Sequence, residues 1–478
     1  MFNGGVVEGI SPAFVRELLE RIARLEAELA KRERLLAERD RRIAELEQLV
    51  EELRRRGKRQ AAPFSKGEPK PEPKPPGRKS GSQYGRQALR GVPRRIDERL
   101  VVACPVSCDR RGCGGRVRAL GKASQYQIDL PAVVPWTREF VVHYGYCVRC
   151  GKTVQGRHPR QISDALQVGR VQIGPGVISF AAYLKVVGGI SFEKIAGVFK
   201  EMLGLRVGRS TLCRALKRLS SRAAPTYAGL VQKIRASPVV YPDETGWRVG
   251  GRPAWLWAFT NGEETAYSIE KGRGYAEAAK ILGGQYCGVI GADGWAPYRR
   301  FKKAKLQTCL AHLLRRCREL LETASRGAVR FPRAVKVILQ SGLNLRDRRD
   351  ARQISPHGVA VARGRLKARM QRLLCGRITN PLNRRFALHL KRYQEALFLF
   401  LARPDVEATN WPAEQAIRPA VVNRKSCGGN RSKNGARTQA VLMSILRTCR
   451  HKGLSAVEIF THILCNRVSR PHRGLLAS

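Results

Sequence analysis

Three carboxylates set the chemical question. Asp243 follows the apolar run 238–241, Asp293 follows 288–291, and Glu414 stands in Asn410-Trp-Pro-Ala-Glu414. Brought together at the ends of neighbouring strands, Asp243 and Asp293 make a hard-oxygen site suited to Mg²⁺ or Mn²⁺. A third carboxylate lets such a site hold a second ion. Two ions about 3.5–4 Å apart can activate the attacking oxygen and stabilise the leaving oxygen of a phosphoryl transfer. Each acid also has a plainer reading. Asp243 can cap a turn, with Glu244 as the ligand in its place. Asp293-Gly294 is a common turn dipeptide. Glu414 can be a solvated acid of a first helical turn.

The surrounding elements decide whether the acids can meet. Strands are expected at 238–241, 255–259, 265–269, 288–291 and 306–309, a helix at 275–282, and a basic helix from about residue 311. The order β-β-β-α-β-α-β-α is that of a ribonuclease-H-like core. In it the first and fourth strands are adjacent, which places Asp243 and Asp293 at or just past their ends. Pro412 suits a first helical turn, so Glu414 lies early in a helix that can pack on the sheet. Residues 322–403 fit between as a basic, mostly helical insertion.

A second constellation is made of thiols. Cys104, Cys108, Cys113, Cys147 and Cys150 fall within 101–158, and Cys147-Val-Arg-Cys150 runs into Gly151-Lys152. That spacing turns two sulfurs toward one Zn²⁺ ion about 2.3 Å away, and two such clusters joined by strand-like runs at 126–130 and 140–146 suit a zinc ribbon. The first cluster offers three thiols for two places. Cys104 and Cys108 are favoured and Cys113 is a possible substitute, with His143 and His158 as further substitutes. The plainer reading is thiols without metal.

Upstream, residues 15–53 carry a heptad. Val15, Ile22, Leu29, Leu36, Ile43 and Val50 occupy a; Leu18, Leu25, Arg32, Arg39, Leu46 and Leu53 occupy d. The narrow apolar stripe predicts a coiled coil, a homodimer or higher oligomer, against a solitary helix packed on its own protein. A Pro-rich, basic linker follows. Further on, Ser191 caps a helix that Gly204 ends, and Ser210-Thr211 caps a second over 211–219 with Arg214, Lys217 and Arg218 exposed. Helix, turn, basic helix is compatible with a reader of the major groove, and equally with a plain bundle.

Composition narrows the partner. The 478 residues hold 90 Lys plus Arg against 38 Asp plus Glu, a net charge of 90 − 38 = +52. Such a chain asks for a polyanion, nucleic acid by default, and is unlike a small soluble metabolic enzyme with a neutral or acidic surface. At 43% apolar residues, disorder of the whole chain is excluded. Thirteen Cys fall far below the density of a disulfide scaffold. No secretory signal or membrane-spanning run is read, so the thiols are expected in a reducing cytoplasm.

The chain resembles transposases of the insertion-sequence-66 family, a D-D-E group. The likeness rests on Asp243-Glu-Thr-Gly-Trp247, Ala254-Trp-Leu-Trp257, Ala292-Asp-Gly-Trp295, Gln307-Thr-Cys-Leu-Ala-His312 with Arg315-Arg316, and Thr409-Asn-Trp-Pro-Ala-Glu414 continuing to Arg418-Pro419. Asn423-Arg-Lys425, Gly428-Gly-Asn-Arg431, Gly156-Arg-His-Pro159 and Ser163-Asp-Ala165 also match. The resemblance implies a multidomain α+β protein with these parts: a coiled coil over 12–55, a linker over 56–95, a zinc-ribbon DNA-binding domain over 96–160 and a helix-turn-helix-like domain over 165–236. A ribonuclease-H-like core follows over 237–321, with the helical insertion 322–403 and the rest of the core over 404–465. It implies that Asp243, Asp293 and Glu414 are the catalytic, metal-binding triad. It implies that Arg418, Arg424 and Lys425 contact DNA, and that the partners are double-stranded DNA (transposon ends and target) and accessory proteins of the element. Three departures stand out: Trp411 where relatives carry a second Asn, Gln415 where they carry Arg, and a first Cys cluster that is not the usual C-x2-C. Cys309 and His312 read as structural rather than metal-binding, and Trp247, Trp255, Trp257 and Trp295 as core or base-stacking residues. Two rival readings are an inert DNA-binding descendant and a ribonuclease-H-like nuclease without joining activity.

Overall fold

The computed structural model describes residues 12–58, 91–130, 133–166, 171–466 and 470–477. The chain divides into two units, Met1–Pro69 and Lys70–Ser478. In the first, the heptad forms one uninterrupted helix, α1 (Pro12–Lys58). It runs past the expected boundary at 55, because 54–58 contain only one poor helix former, Gly57. Ile22, Leu25, Leu29, Leu36, Ile43 and Leu46 all stand exposed on it. The side chains of Val15, Leu18, Val50 and Leu53, and the linker residues 59–90, lie outside the described set.

The Cys-rich segment contains a short antiparallel hairpin, β1 (Tyr144–Tyr146) and β2 (Thr153–Gln155), with Tyr146 opposite Thr153. The strand expected at 126–130 is absent: that run is exposed and has no partner to complete a ladder.

The rest is a mixed α+β body. Three helices lead in: α2 (Pro175–Val186), α3 (Phe192–Leu203) and α4 (Arg209–Ala236). The Ser191 hydroxyl accepts from Lys194 N–H at the start of α3, and Gly204 ends it in the left-handed region at φ 61°. The expected 211–219 helix is instead a 28-residue rod capped at Gly208. Its apolar positions Leu212, Leu216, Leu219, Ala223 and Leu230 keep helical spacing well beyond residue 219, which is why it continues.

Five strands follow: β3 (Val239–Val249), β4 (Arg252–Thr260), β5 (Thr265–Glu270), β6 (Val289–Ala292) and β7 (Lys305–Thr308), with α5 (Tyr275–Leu282) between β5 and β6. The sheet order is β5-β4-β3-β6-β7. β3 is antiparallel to β4 and parallel to β6. The expected helix between β6 and β7 is only a 3₁₀ turn, Ala296–Arg300, because Pro297 and the short span leave no room for more. Then come α6 (Leu310–Thr323), α7 (Arg330–Asp350), α8 (Pro356–Cys375), α9 (Pro381–Arg392) and the single turn α10 (Leu399–Ala402). The chain closes with α11 (Trp411–Cys427), α12 (Lys433–His451), α13 (Ala456–Cys465) and the turn α14 (Arg473–Leu476).

Strand alternation sorts the sheet residues between two layers. On one face Trp247, Leu256, Ala258 and Tyr267 pack with α4, α11, α12 and α13, while Val239 and Tyr241 pack with α6 and the insertion helices. On the other, Val240, Trp257, Phe259 and Ile290 pack with α5, Tyr298 and the last turns of α4. Residues of α2, α3 and α4 therefore share one core with the sheet. The helical region before 236 is part of the same body as the strands that follow it.

Candidate active site

The parallel pairing of β3 with β6 sets Val239 against Val289 and Val240 against Ile290. Carried four residues on, that register brings Asp293 opposite Asp243. The approach is close. A Cβ on Gly291 would stand 2.5 Å from the Tyr241 ring, so only glycine lets β6 lie there. Past β6, Gly294 at φ 91° turns the chain, and Asp293 Oδ1 accepts from Trp295 N–H at 2.9 Å. Insertion helix α9 backs this turn: Tyr393 donates its hydroxyl to Gly294 O at 2.7 Å, and the His389 ring lies against Gly294. Burial and the cations Arg316 and Arg392 hold His389 below its ordinary pKa.

Glu414 is delivered by a strapped segment. Glu407 N–H donates to the Tyr241 hydroxyl at 2.7 Å, and Leu310 N–H donates to Ala408 O at 3.0 Å. Asn410, 2% exposed, donates its backbone N–H to Cys309 Sγ at 3.1 Å and its side-chain amide to Pro242 O at 3.0 Å. Its carbonyl accepts from Glu414 N–H at 3.0 Å. The residue before Asp243, the end of β7 and the start of α11 are thus tied through one asparagine. Farther along, Pro419 lacks the N–H that Gln415 O would ordinarily receive, and Arg447 Nη2 donates to that oxygen at 3.1 Å. Buried Asn423 donates to Val186 O at 2.8 Å.

The acids feel one another. Burial, then Glu244, and then Asp293 and Glu414, push Asp243 up to about 7. Crowded carboxylates in a desolvated place resist ionising together, and a cation relieves that. Glu244, one residue along β3, faces the opposite side. Its carboxylate, 3% exposed, pairs with Arg273 at 2.6 Å and accepts from the Tyr298 hydroxyl at 3.0 Å. Arg273 in turn lies between the rings of Trp295 at 4.1 Å and Trp255 at 4.8 Å. The alternative of Glu244 as ligand therefore meets a carboxylate that already has its partners. Among the described residues, no three His, Cys, Asp or Glu side chains stand close enough to hold one metal ion.

Cys309 and His312 sit beside the strap. Burial raises the Cys309 thiol, but the His312 imidazole and the Asn410 N–H outweigh it and the net shift is downward. Cys309 raises His312 in return. The pair positions the β7 end.

The basic candidates separate. Arg214, Lys217, Arg218, Arg418 and Lys425 are exposed. Arg424 is half-buried, and its guanidinium donates to Thr245 Oγ1 and Gly246 O, clamping α11 to β3. Trp247 and Trp257 are buried core. Sequence reasoning assigned no role to Asn410, Tyr241 or Arg273. Their signal was position alone, since a polar residue beside each acid motif must be paired once buried.

In the Cys-rich segment the thiols fall into two pairs. Cys108 N–H donates to Gly115 O at 2.8 Å, closing a turn that carries Cys113, while Gly151 N–H donates to Cys147 O at 2.7 Å. The Gly115 N–H and the Cys108 thiol lower Cys113; backbone donors at Cys150 and Arg149 and the Cys150 thiol lower Cys147. Cys113 is brought to Cys108. Of the substitutes, His158 Nδ1 already accepts from Arg160 N–H at 3.1 Å.

The architecture is a five-stranded mixed sheet in which the strands leading to Asp243 and Asp293 are adjacent and parallel, with Glu414 in the first turn of a late helix. Residues 170–438 match the family described as "Transposase IS66 family". The chain belongs to that family. It is also 24% identical over 319 residues to the uncharacterized protein y4qI of Sinorhizobium fredii (strain NBRC 101917 / NGR234), covering 60% of this chain and 58% of that one. A second uncharacterized protein of the same strain, y4jD, is 23% identical over 392 residues, covering 75% and 74%. The chain thus spans a little over half of the first relative's length. Among the described residues, no helix is long and apolar enough to cross a membrane.

Proposed function

We propose that the protein is a D-D-E transposase with a ribonuclease-H-like core, which binds the inverted repeats of its element, cleaves at their 3′ ends and transfers those ends to target DNA. One observation carries this reading: the β3–β6 register carries Asp293 opposite Asp243, and Asn410 ties the first turn of the Glu414 helix to Pro242, the residue before Asp243. Asp243, Asp293 and Glu414 would hold Mg²⁺ or Mn²⁺, and that donor set fits a hard divalent cation. Bound there, the metal supplies Lewis-acid activation of the phosphate and of the attacking oxygen. The chain's own part is positional. The strap through Asn410 fixes Glu414 against β3, and Arg273 holds Glu244 out of competition for the same cation.

Zn²⁺ would take the pairs Cys108/Cys113 and Cys147/Cys150, whose backbone donors favour thiolate. The exposed cations of α4 and α11 would follow DNA phosphates, and α1 would pair protomers along its a/d stripe.

The test is cleavage and joining of a labelled duplex that carries the inverted repeat flanking the gene, with Mg²⁺ or Mn²⁺. Wild type cuts and joins. Asp243→Asn and Glu414→Gln each lose on the order of 10³-fold or more. Cutting that survives both substitutions places the chemistry elsewhere. Cutting without joining makes the protein a nuclease, and repeat binding without cutting makes it an inert binder.

A further inference from the structure

Among the tryptophans of the sheet and its helices, Trp411 alone is exposed. Trp247 and Trp257 are core, and Trp255 and Trp295 are half-buried around Arg273. Trp411 leaves 61% of its surface in water at the first turn of α11, one turn from Glu414. An indole so placed adds little to the fold. Its backbone is anchored all the same. Asn410 is pinned on both its backbone and its side chain, and Pro412 follows at once.

Four of the five exposed residues of α11 form a line. Trp411, Arg418, Val422 and Lys425 are all exposed. At 100° per residue they fall within an arc of about 60°, and Glu414 borders it. At 1.5 Å per residue, Arg418 stands about 10 Å and Lys425 about 21 Å beyond Trp411 along the axis. The stripe therefore presents, in order, a flat aromatic face, a carboxylate of the candidate triad, and two cations spaced over several nucleotides. An acidic or apolar protein partner would explain the cations or the indole, but not the carboxylate between them.

We infer that Trp411 is a base-stacking site: one unpaired nucleobase next to the phosphodiester at the triad stacks on its indole, while Arg418 and Lys425 follow the phosphates of the same strand. This deepens the proposed function and rests on it for the place of the scissile bond. Stacking on an aromatic face is tolerant of base identity, because every base has a π-face. The site thus holds a frayed or flipped nucleotide whatever its sequence, and sequence reading is left to other parts of the chain.

The experiment uses the full-length protein without divalent metal. The probe is a duplex with a short unpaired tail at one end, in which one tail base is 2-aminopurine. Wild type quenches the probe and binds it more tightly than the fully paired duplex. Trp411→Ala loses the quenching and binds the tailed probe about tenfold more weakly, with the fully paired duplex unchanged. Trp411→Phe retains most of the preference for the tail. Because residue 411 is exposed, circular dichroism of the variants matches wild type. A wild-type protein without a fluorescence response, or a Trp411→Ala variant that keeps both quenching and tail preference, overturns the proposal. Cleavage by Asp243→Asn is scored separately. If that variant still cuts while the tail preference depends on Trp411, the catalytic reading falls and the base site stands.

Discussion

The backbone N–H of Asn410 donates to the thiol sulfur of Cys309 over 3.1 Å, and this one contact ties the start of the Glu414 helix to the end of β7. The two residues are 101 positions apart in the chain. The donor is buried and has no water to fall back on, so its acceptor matters more than a typical hydrogen bond does. Cys309→Ser keeps an acceptor and is expected to retain most stability and activity. Cys309→Ala orphans the N–H and is expected to cost about 1–3 kcal/mol. Urea midpoints at unchanged m-value read the first effect, and the cleavage rate of the same proteins reads the displacement of Glu414.

Asp243 gives the protein a characteristic response to pH. Its proton is bound more tightly in the folded chain, where it leaves only near 7, than in the unfolded one. The stability tied to that proton is fully present below about pH 4 and is lost as pH rises through about 7. Asp243→Asn removes this loss. In metal-free protein the variant is expected to gain on wild type from about pH 4 to 7, reaching on the order of 4 kcal/mol, and to hold that lead above. Paired thermal melts across this range check it. Added Mg²⁺ should narrow the gap by stabilising wild type alone.

Glu244 and Arg273 form an ion pair in which the carboxylate is nearly inaccessible and the guanidinium is about a third exposed. Arg273→Met strands the Glu244 carboxylate, with an expected cost of about 3–5 kcal/mol. Adding Glu244→Gln to it restores much of the loss, because the stranded charge is gone. A double-mutant cycle on denaturation free energies measures the coupling. If Arg273→Met alone is neutral, the pair does not hold Glu244 away from the triad.

The thiol pairs decide which cysteine serves zinc. Purified protein is expected to lose its zinc on Cys113→Ser and on Cys147→Ser, and to keep it on Cys104→Ser. Metal content of the purified variants, measured by atomic emission, separates the outcomes. Zinc lost with Cys104→Ser and kept with Cys113→Ser would restore the assignment that sequence spacing favoured.

The sheet was legible because its strands are short apolar runs whose pattern is local. The helix 275–282 and the core of each strand lie where alternation places them. The apposition of Asp243 with Asp293 followed from strand order, since adjacency of the first and fourth strands is a property of the topology. Other features were not local. The length of α4 depends on α12 covering its apolar face, and the approach of Cys113 to Cys108 depends on where a turn closes. Arg424 looked like a DNA contact because a basic residue in a basic run gives no sign that a strand residue waits for it. Trp411 was visible as a departure from the family pattern. Its meaning needed the helical stripe it begins, and that stripe exists only once the burial of the opposite side of α11 is known.

The layering of α11 and α12 over β4 and β5 has a consequence for how the protein is made. Their residues lie roughly 160 positions downstream of the strands they cover. At a ribosomal pace of about 5–20 residues per second, the apolar face of the sheet waits for some ten to thirty seconds before its cover is synthesised. Glu414 arrives with that same cover. The nascent chain thus carries two acids and an open sheet, and the third acid joins only when the hydrophobic face is covered. Completion of the fold and the arrival of Glu414 are one event, so an unfinished chain carries Asp243 and Asp293 without it.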